Sequence, residues 1–290
     1  MKTGEEFVRN KIGAVSLPIR AEGEETSDLA VAAVRKLFEK GLDPSAIDLL
    51  ILCTQNPDGH GLPHTSAIVH GKLGLPETCA AFDISLGCSG YVYGLTVVDA
   101  MLRAGHARNA VLVTADPYSK IVDPDDRDTA LLFGDAATAS WIVPAEAGGG
   151  LDLQIGGARL STMGKDGGAL AVKPSGKLEM QGRAVFNFAA QTGTAQIRDL
   201  LDETGLELED IDLFLLHQGS RYIVETIARR LGVPAGKVPL GITENGNTVS
   251  SSIPLMLEAG ANQSARRILL CGFGVGLSCA SMVLTKDHND

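Results

Sequence analysis

The sequence predicts an α/β protein with mainly parallel sheets, assembled from two copies of one plan. Apolar, strand-like runs alternate with amphipathic helical runs along 290 residues. That alternation calls for parallel strands with helices on both faces. Two stretches also echo each other in the same order in each half. Glycine is frequent at 34 residues while aromatics make up only 4%, which suits tightly packed α/β layers with close backbone approaches.

The elements follow in order. "SDLAVAAVRKLFEKG" reads as a helix with Ser27 as N-cap, apolar positions at helical spacing and Gly41 closing it. "IDLLILCT" is a buried strand, "TSAIVHGKLGL" a short helix and "CAAFDISL" a strand that leads to Cys88. "GYVYGLTVVDAMLRAGH" is a helix with Tyr91, Leu95, Val98 and Leu102 on one stripe, and "NAVLVTAD" is another buried strand. The second half supplies "TAQIRDLLDETG" as helix, "IDLFLLH" as strand, "YIVETIARRLG" and "SSIPLMLEAG" as helices and "RILLCGFG" as strand.

The first echo sets "GLDPSAIDLLILCTQ" (Gly41–Gln55) beside "GLELEDIDLFLLHQG" (Gly205–Gly219). Each copy reads as a glycine cap, a short polar turn and a buried strand. The second sets "LLFGDAATASWIV" beside "CGFGVGLSCASMVL". The expected division is an N-terminal half, residues 1–145, and a C-terminal half, residues 150–290, joined through "AEAGGG".

Net charge is −10, so there is no general attraction to nucleic acid or to anionic membranes. An anionic ligand would need locally placed cations. Five cysteines form no CxxC pair and no zinc spacing, which points to reduced thiols in a cytoplasmic protein. The N-terminus has no apolar signal core, and no run approaches the roughly 18 apolar residues that span a bilayer. His60 and His64 are four apart, but Pro63 and two glycines argue against a helix that would pair them on a metal. "DPDDRD" lacks the glycine and terminal glutamate of a calcium loop, and "GFGVG" is mis-spaced for a dinucleotide fingerprint. No metal and no permanently bound cofactor is expected.

Cys88 stands at a strand-to-helix junction flanked by Gly87, Ser89 and Gly90. There it is a nucleophile whose thiolate a helix N-terminus would favour without an adjacent base, or a cysteine filling a tight corner. His217 leaves its strand at the position that Cys53 takes in the first copy, at a carboxyl edge of the sheet where open α/β proteins bind ligands. Asn247 lies in "ENGNTVSSSIP", an irregular turn before a helix. Taken singly, His217 also reads as a satisfied polar residue and Asn247 as a turn former.

Together "SLGCSG", "LLHQGS", "NGNTVSSSIP" and "GFGVGLSCAS" resemble the β-ketoacyl-acyl-carrier-protein synthase III family of the thiolase-like fold, in order and spacing, over essentially the whole chain. The resemblance implies two duplicated α/β halves with mainly parallel five-stranded sheets in an α-β-α-β-α stack. It implies a Cys88–His217–Asn247 triad in a homodimer. Cys88 would take an acyl group from a coenzyme A thioester. A malonyl thioester, on coenzyme A or an acyl carrier protein, would then lose CO₂ and attack it, in fatty-acid or related synthesis. His217 and Asn247 would donate hydrogen bonds to the enolate. Backbone N–H groups of Cys88 and Val275 would hold the acylation oxyanion.

The resemblance further implies coenzyme A contacts from Phe7, Lys11 and Arg127, and an acyl-pocket base from Leu62 of the partner subunit. Phe7 and Lys11 replace a tryptophan and an arginine of the family. Tyr222 takes the place of another arginine, with Arg221 one position earlier. Val275 stands where some members have glycine and suits a backbone donor only with negative φ. Leu62, where acetyl-selective members often have phenylalanine, suggests an acyl group longer than acetyl. The family also opens with a strand ahead of the segment matching "EEFVRNKIG", so the first sheet is expected to lack a central strand. One rival is an acyltransferase that passes the group to an oxygen or nitrogen, which would not need both His217 and Asn247. Another is a silent partner subunit, which would tend to lose Cys88. Hydroxymethylglutaryl-type synthesis would want a glutamate that "AAFDISLGCSG" does not contain.

Overall fold

The computed structural model describes residues 8–147, 153–259 and 264–286. The first half carries α1 (Thr26–Glu39), β1 (Leu49–Cys53), α2 (Thr65–Leu73), β2 (Ala80–Ile84), α3 (Gly90–Arg103), β3 (Ala110–Ala115) and β4 (Ala137–Ile142). The second carries β5 (Leu153–Thr162), a small hairpin β6 (Leu170–Val172) and β7 (Leu178–Met180), α4 (Gly182–Phe188), α5 (Thr194–Thr204), β8 (Leu213–Leu216), α6 (Arg221–Leu231), α7 (Ser252–Glu258), β9 (Arg267–Gly274) and β10 (Ser278–Lys286). The sequence reading missed β5, the hairpin and α4.

Two four-stranded sheets run β2-β1-β3-β4 and β5-β10-β9-β8. Within them, β1-β3-β4 and β8-β9-β10 repeat one pattern: a parallel pair, then an antiparallel strand. Each sheet thus has four strands among the described residues, not five, and the second is mostly antiparallel. Three residues, Val275–Leu277, join β9 to β10. So short a link permits only antiparallel pairing. Among the described residues no counterpart of β2 follows α6, where "GVPAGKVPLGITENG" holds two prolines that cannot donate to a ladder. It folds into short helical turns instead.

The first sheet has no central gap either, since β1 pairs directly with β3. The edge at issue is the outer one of β4. Its counterpart β10 carries β5 there, whereas β4 has no strand beyond it among the described residues.

α3 and α7 lie between the sheets, and α3 packs against β1 and β3 on one side and β5, β9 and β10 on the other. The predicted stripe is real: Tyr91, Leu95 and Val98 are buried in the inter-sheet core, with Leu102 packed against it. α1 and α2 cover the first sheet, and α5 packs on β5 and β10 of the second. One cap differs from expectation. Glu25 is the N-cap of α1 and forms a capping box with Asp28. Ser27 lies inside the helix, its hydroxyl donating to Asp58 at 2.5 Å.

Candidate active site

The carboxyl ends of β2, β8 and β9 deliver the chemistry to one cavity of about 430 Å³. Cys88, His217 and Asn247 all line it, with Leu132, Phe133, Leu170, Val185 and Phe273 as apolar wall. The three residues singled out in the sequence come together from two sheets.

Cys88 closes the turn after β2, immediately before Ser89, the N-cap of α3. Ser89 Oγ lies 2.7 Å from Ser278 Oγ, pinning this turn to β10. Close approach explains the glycines around it. A Cβ on Gly274 would stand 2.6 Å from Cys88 Sγ, and one on Gly87 would stand 2.5 Å from Gln55 Oε1. The backbone N–H groups of Cys88 and Val275 bear on the sulfur and favour its thiolate. Val275 is not among the positive-φ residues, so its backbone meets the condition set for a donor. Burial, reinforced by the charge of Asp116, outweighs these donors and pushes the thiol up to about 12. The expectation of activation by the helix end alone is therefore corrected. At neutral pH Cys88 is a thiol, and its proton needs an acceptor.

His217 stands one residue past β8, its N–H donating to Cys271 O at 2.8 Å. Its ring meets Phe273 edge-on with centroids 5.4 Å apart. Nδ1 lies 2.8 Å from Ser252 Oγ, which leaves Nε2 for the cavity. Burial drives its pKa down to about 3, so the imidazole is neutral.

Asn247 is fixed on three sides. Its N–H donates to Leu132 O at 2.8 Å and its carbonyl accepts from Gly134 N at 3.1 Å. Its side-chain Oδ1 accepts from Val249 N at 2.9 Å. With Oδ1 committed, the amide nitrogen is the group left to donate into the cavity.

Lys11 and Arg127 line the cavity from exposed positions. Lys11 Nζ sits 3.6 Å above the Tyr222 ring, which stacks on Phe186. Arg183, absent from the sequence reading, also lines it. Phe7 lies outside the described residues. Leu62 is 93% exposed and does not line the cavity of its own chain.

Two family models match: 3-oxoacyl-[acyl-carrier-protein (ACP)] synthase III over residues 82–164, and the C-terminal region of the same synthase over residues 201–286. A β-ketoacyl-[acyl-carrier-protein] synthase III of Neisseria meningitidis serogroup C is 36% identical over 291 residues, covering 97% of this chain and 91% of the relative. The chain belongs to the 3-oxoacyl-[acyl-carrier-protein] synthase III family. The namesake of Rhizorhabdus wittichii is 38% identical over 264 residues, covering 88% of this chain and 81% of the relative. The crystal structure of the Thermus thermophilus synthase III matches with a TM-score of 0.89 at 32% identity, covering 98% of this chain and 92% of that one. The chain is thus an acyltransferase of the thiolase-like fold that performs decarboxylative condensation. Among the described residues, no helix is long and apolar enough to cross a membrane.

Proposed function

We propose that Cys88 carries the acyl group, that His217 acts in both halves of the condensation and that Asn247 acts in the second. The observation that supports this reading is the shared cavity, with His217 Nδ1 and Asn247 Oδ1 each bonded elsewhere so that Nε2 and the amide nitrogen are left for it. In acylation, Cys88 Sγ attacks the thioester carbonyl of an acyl-coenzyme A. The backbone N–H groups of Cys88 and Val275 hold the oxyanion. The thiol proton passes to His217 Nε2 and then to the departing coenzyme A sulfur. Burial disfavours both the thiolate and the imidazolium, so the pair rests as thiol and neutral imidazole. The proton therefore moves as the new C–S bond forms.

In condensation, the bond from the malonyl carbon to its carboxylate breaks and CO₂ leaves. The electron pair becomes an enolate whose oxygen accepts from His217 Nε2–H and Asn247 Nδ2–H. With Nδ1–H donating to Ser252 Oγ, Nε2 takes the proton in the first half; between the halves Nε2 gains a proton from solvent and Nδ1 releases its own, the Ser252 hydroxyl then donating to Nδ1, so that Nε2 donates in the second. The carbanion then attacks the acyl carbon, and the Cys88 sulfur leaves as thiolate and takes one proton from solvent, the proton that the overall reaction consumes.

Lys11, Arg127 and Phe7 are proposed to receive coenzyme A at the mouth, and the malonyl group is proposed to arrive on an acyl carrier protein. The homodimer is proposed to form along the free edge of β2. His64 Nε2 lies 3.3 Å from Ala81 O of that strand, which keeps the exposed Leu62 loop beside the edge. A partner docked there would receive Leu62 at its pocket, leaving room for an acyl group longer than acetyl. The division into residues 1–145 and 150–290 is proposed to mark the two duplicated halves, and the protein is proposed to work in the cytoplasm.

Intact-mass measurements with acetyl- and octanoyl-coenzyme A, before and after malonyl-coenzyme A, test the reading. An adduct on the wild type but not on Cys88→Ala, with CO₂ released on malonyl addition, is expected. Unmodified protein with every donor refutes it, and a clear preference for acetyl refutes the Leu62 assignment.

A further inference from the structure

Asp116 follows β3 and is completely buried, yet it belongs to no step above. Its Oδ1 accepts from Gln55 N at 2.7 Å and Thr54 Oγ1 at 3.4 Å. Its Oδ2 accepts from Ser250 Oγ at 2.5 Å. A buried carboxyl is costly unless well bonded, and one of these three hydrogen bonds comes from a residue of the other sheet's loop.

That loop holds an unusual backbone. Val249 has φ of +52°, the one positive φ on a non-glycine among the described residues. A β-branched residue is strained there, and such strain persists only where surroundings enforce it. The kink has two results. It turns the Val249 N–H back onto Asn247 Oδ1, and it delivers the next residue, Ser250, to Asp116. Hydrogen bonds to a charged group are stronger than those between neutral groups, which offsets the strain. Neighbouring serines are committed elsewhere: Ser251 Oγ lies 2.7 Å from Thr114 Oγ1, and Ser252 holds His217.

We propose that Asp116 is a positioning residue for Asn247. By accepting from the Ser250 hydroxyl, it holds Val249 in the left-handed conformation that turns the Asn247 amide nitrogen into the cavity. The inference rests on the reading of Asn247 as an enolate donor.

Half-reactions separate this role from a merely structural one. Ser250→Ala removes one hydrogen bond and leaves the carboxyl in place. Cys88 loading from octanoyl-coenzyme A should stay within about threefold of the wild type, while CO₂ release from malonyl-coenzyme A by loaded enzyme falls about tenfold. Asp116→Asn should shift the same ratio further. The double variant Asn247→Ala/Ser250→Ala should release CO₂ no more slowly than Asn247→Ala alone, since the anchor acts only through Asn247. Equal losses in loading and CO₂ release for Ser250→Ala, or additive losses in the double variant, would overturn the proposal even if Asp116→Asn fails to fold. Normal CO₂ release by Asn247→Ala would instead refute the reading of Asn247 itself.

Discussion

Nδ1 of His217 and Oγ of Ser252 stand 2.8 Å apart, and Ser252 Oγ reaches Val249 O at 3.2 Å. One hydroxyl thereby governs which ring nitrogen of the buried imidazole carries the proton. Because His217 is needed in both half-reactions, Ser252→Ala should slow loading and CO₂ release alike, by about 10–100-fold. Single-turnover measurement of each step checks this, and a loss confined to one step would contradict it.

His217 should show no titration near pH 6.5. Its folded pKa of about 3 lies far below the ordinary 6.5. The unfolded chain therefore binds the extra proton first, and this residue's contribution to stability is lost as pH falls from about 6.5 toward 3. Asp116 works in the opposite sense. Burial raises it from 3.8 to about 6, so the folded state binds more protons in that window and stability falls as pH rises through it. The shift corresponds to roughly 3 kcal/mol. Asp116→Asn should flatten the stability profile between pH 4 and 6 in urea unfolding, and histidine NMR should find one ring neutral down to about pH 4.

Cys88 should react slowly with iodoacetamide. A thiol held up to about 12 has on the order of a thousandfold less thiolate at pH 7 than an ordinary cysteine. Labelling at Cys88, followed by peptide mass spectrometry, should rise steeply above pH 9. Labelling as fast as that of a small-molecule thiol at pH 7 would show the thiolate to be favoured after all.

Gly274→Ala should abolish loading while keeping the fold. The new methyl would lie 2.6 Å from Cys88 Sγ and 2.8 Å from its Cβ, so the nucleophile must shift. Overpacking of this kind costs about 1–3 kcal/mol, a fall of several degrees in the unfolding midpoint. Loading should drop at least a hundredfold.

Lys11→Ala should raise KM for acyl-coenzyme A several-fold with kcat little changed. It removes a mouth cation and its contact 3.6 Å over Tyr222, but nothing next to Cys88. An unchanged KM would remove Lys11 from the coenzyme A assignment.

Much of this was legible in the residues. Continuously buried runs such as "LLILC" and "AVLVTA" are strands covered on both faces, marked by their short length rather than by any period. β5 escaped because "LQIGGARLST" is a half-exposed edge strand with two glycines. The nucleophile and its two partners were readable from short motifs at strand ends. Their electrostatics were not, because a helix end predicts a lowered thiol pKa, while burial and Asp116 from a distant part of the chain raise it. The signal for Asp116 was present, a lone carboxylate directly after an all-apolar strand. Its partner Ser250 lies 134 residues away, and no local pattern reveals that.

Cys88 follows a strand of the first sheet, whereas His217 and Asn247 hang from loops of the second. Neither sheet alone holds a working set of groups. During refolding, recovery of secondary structure should therefore precede recovery of turnover, since activity waits for the two sheets to close around α3. Catalytic competence in this chain doubles as a timer for its last assembly step.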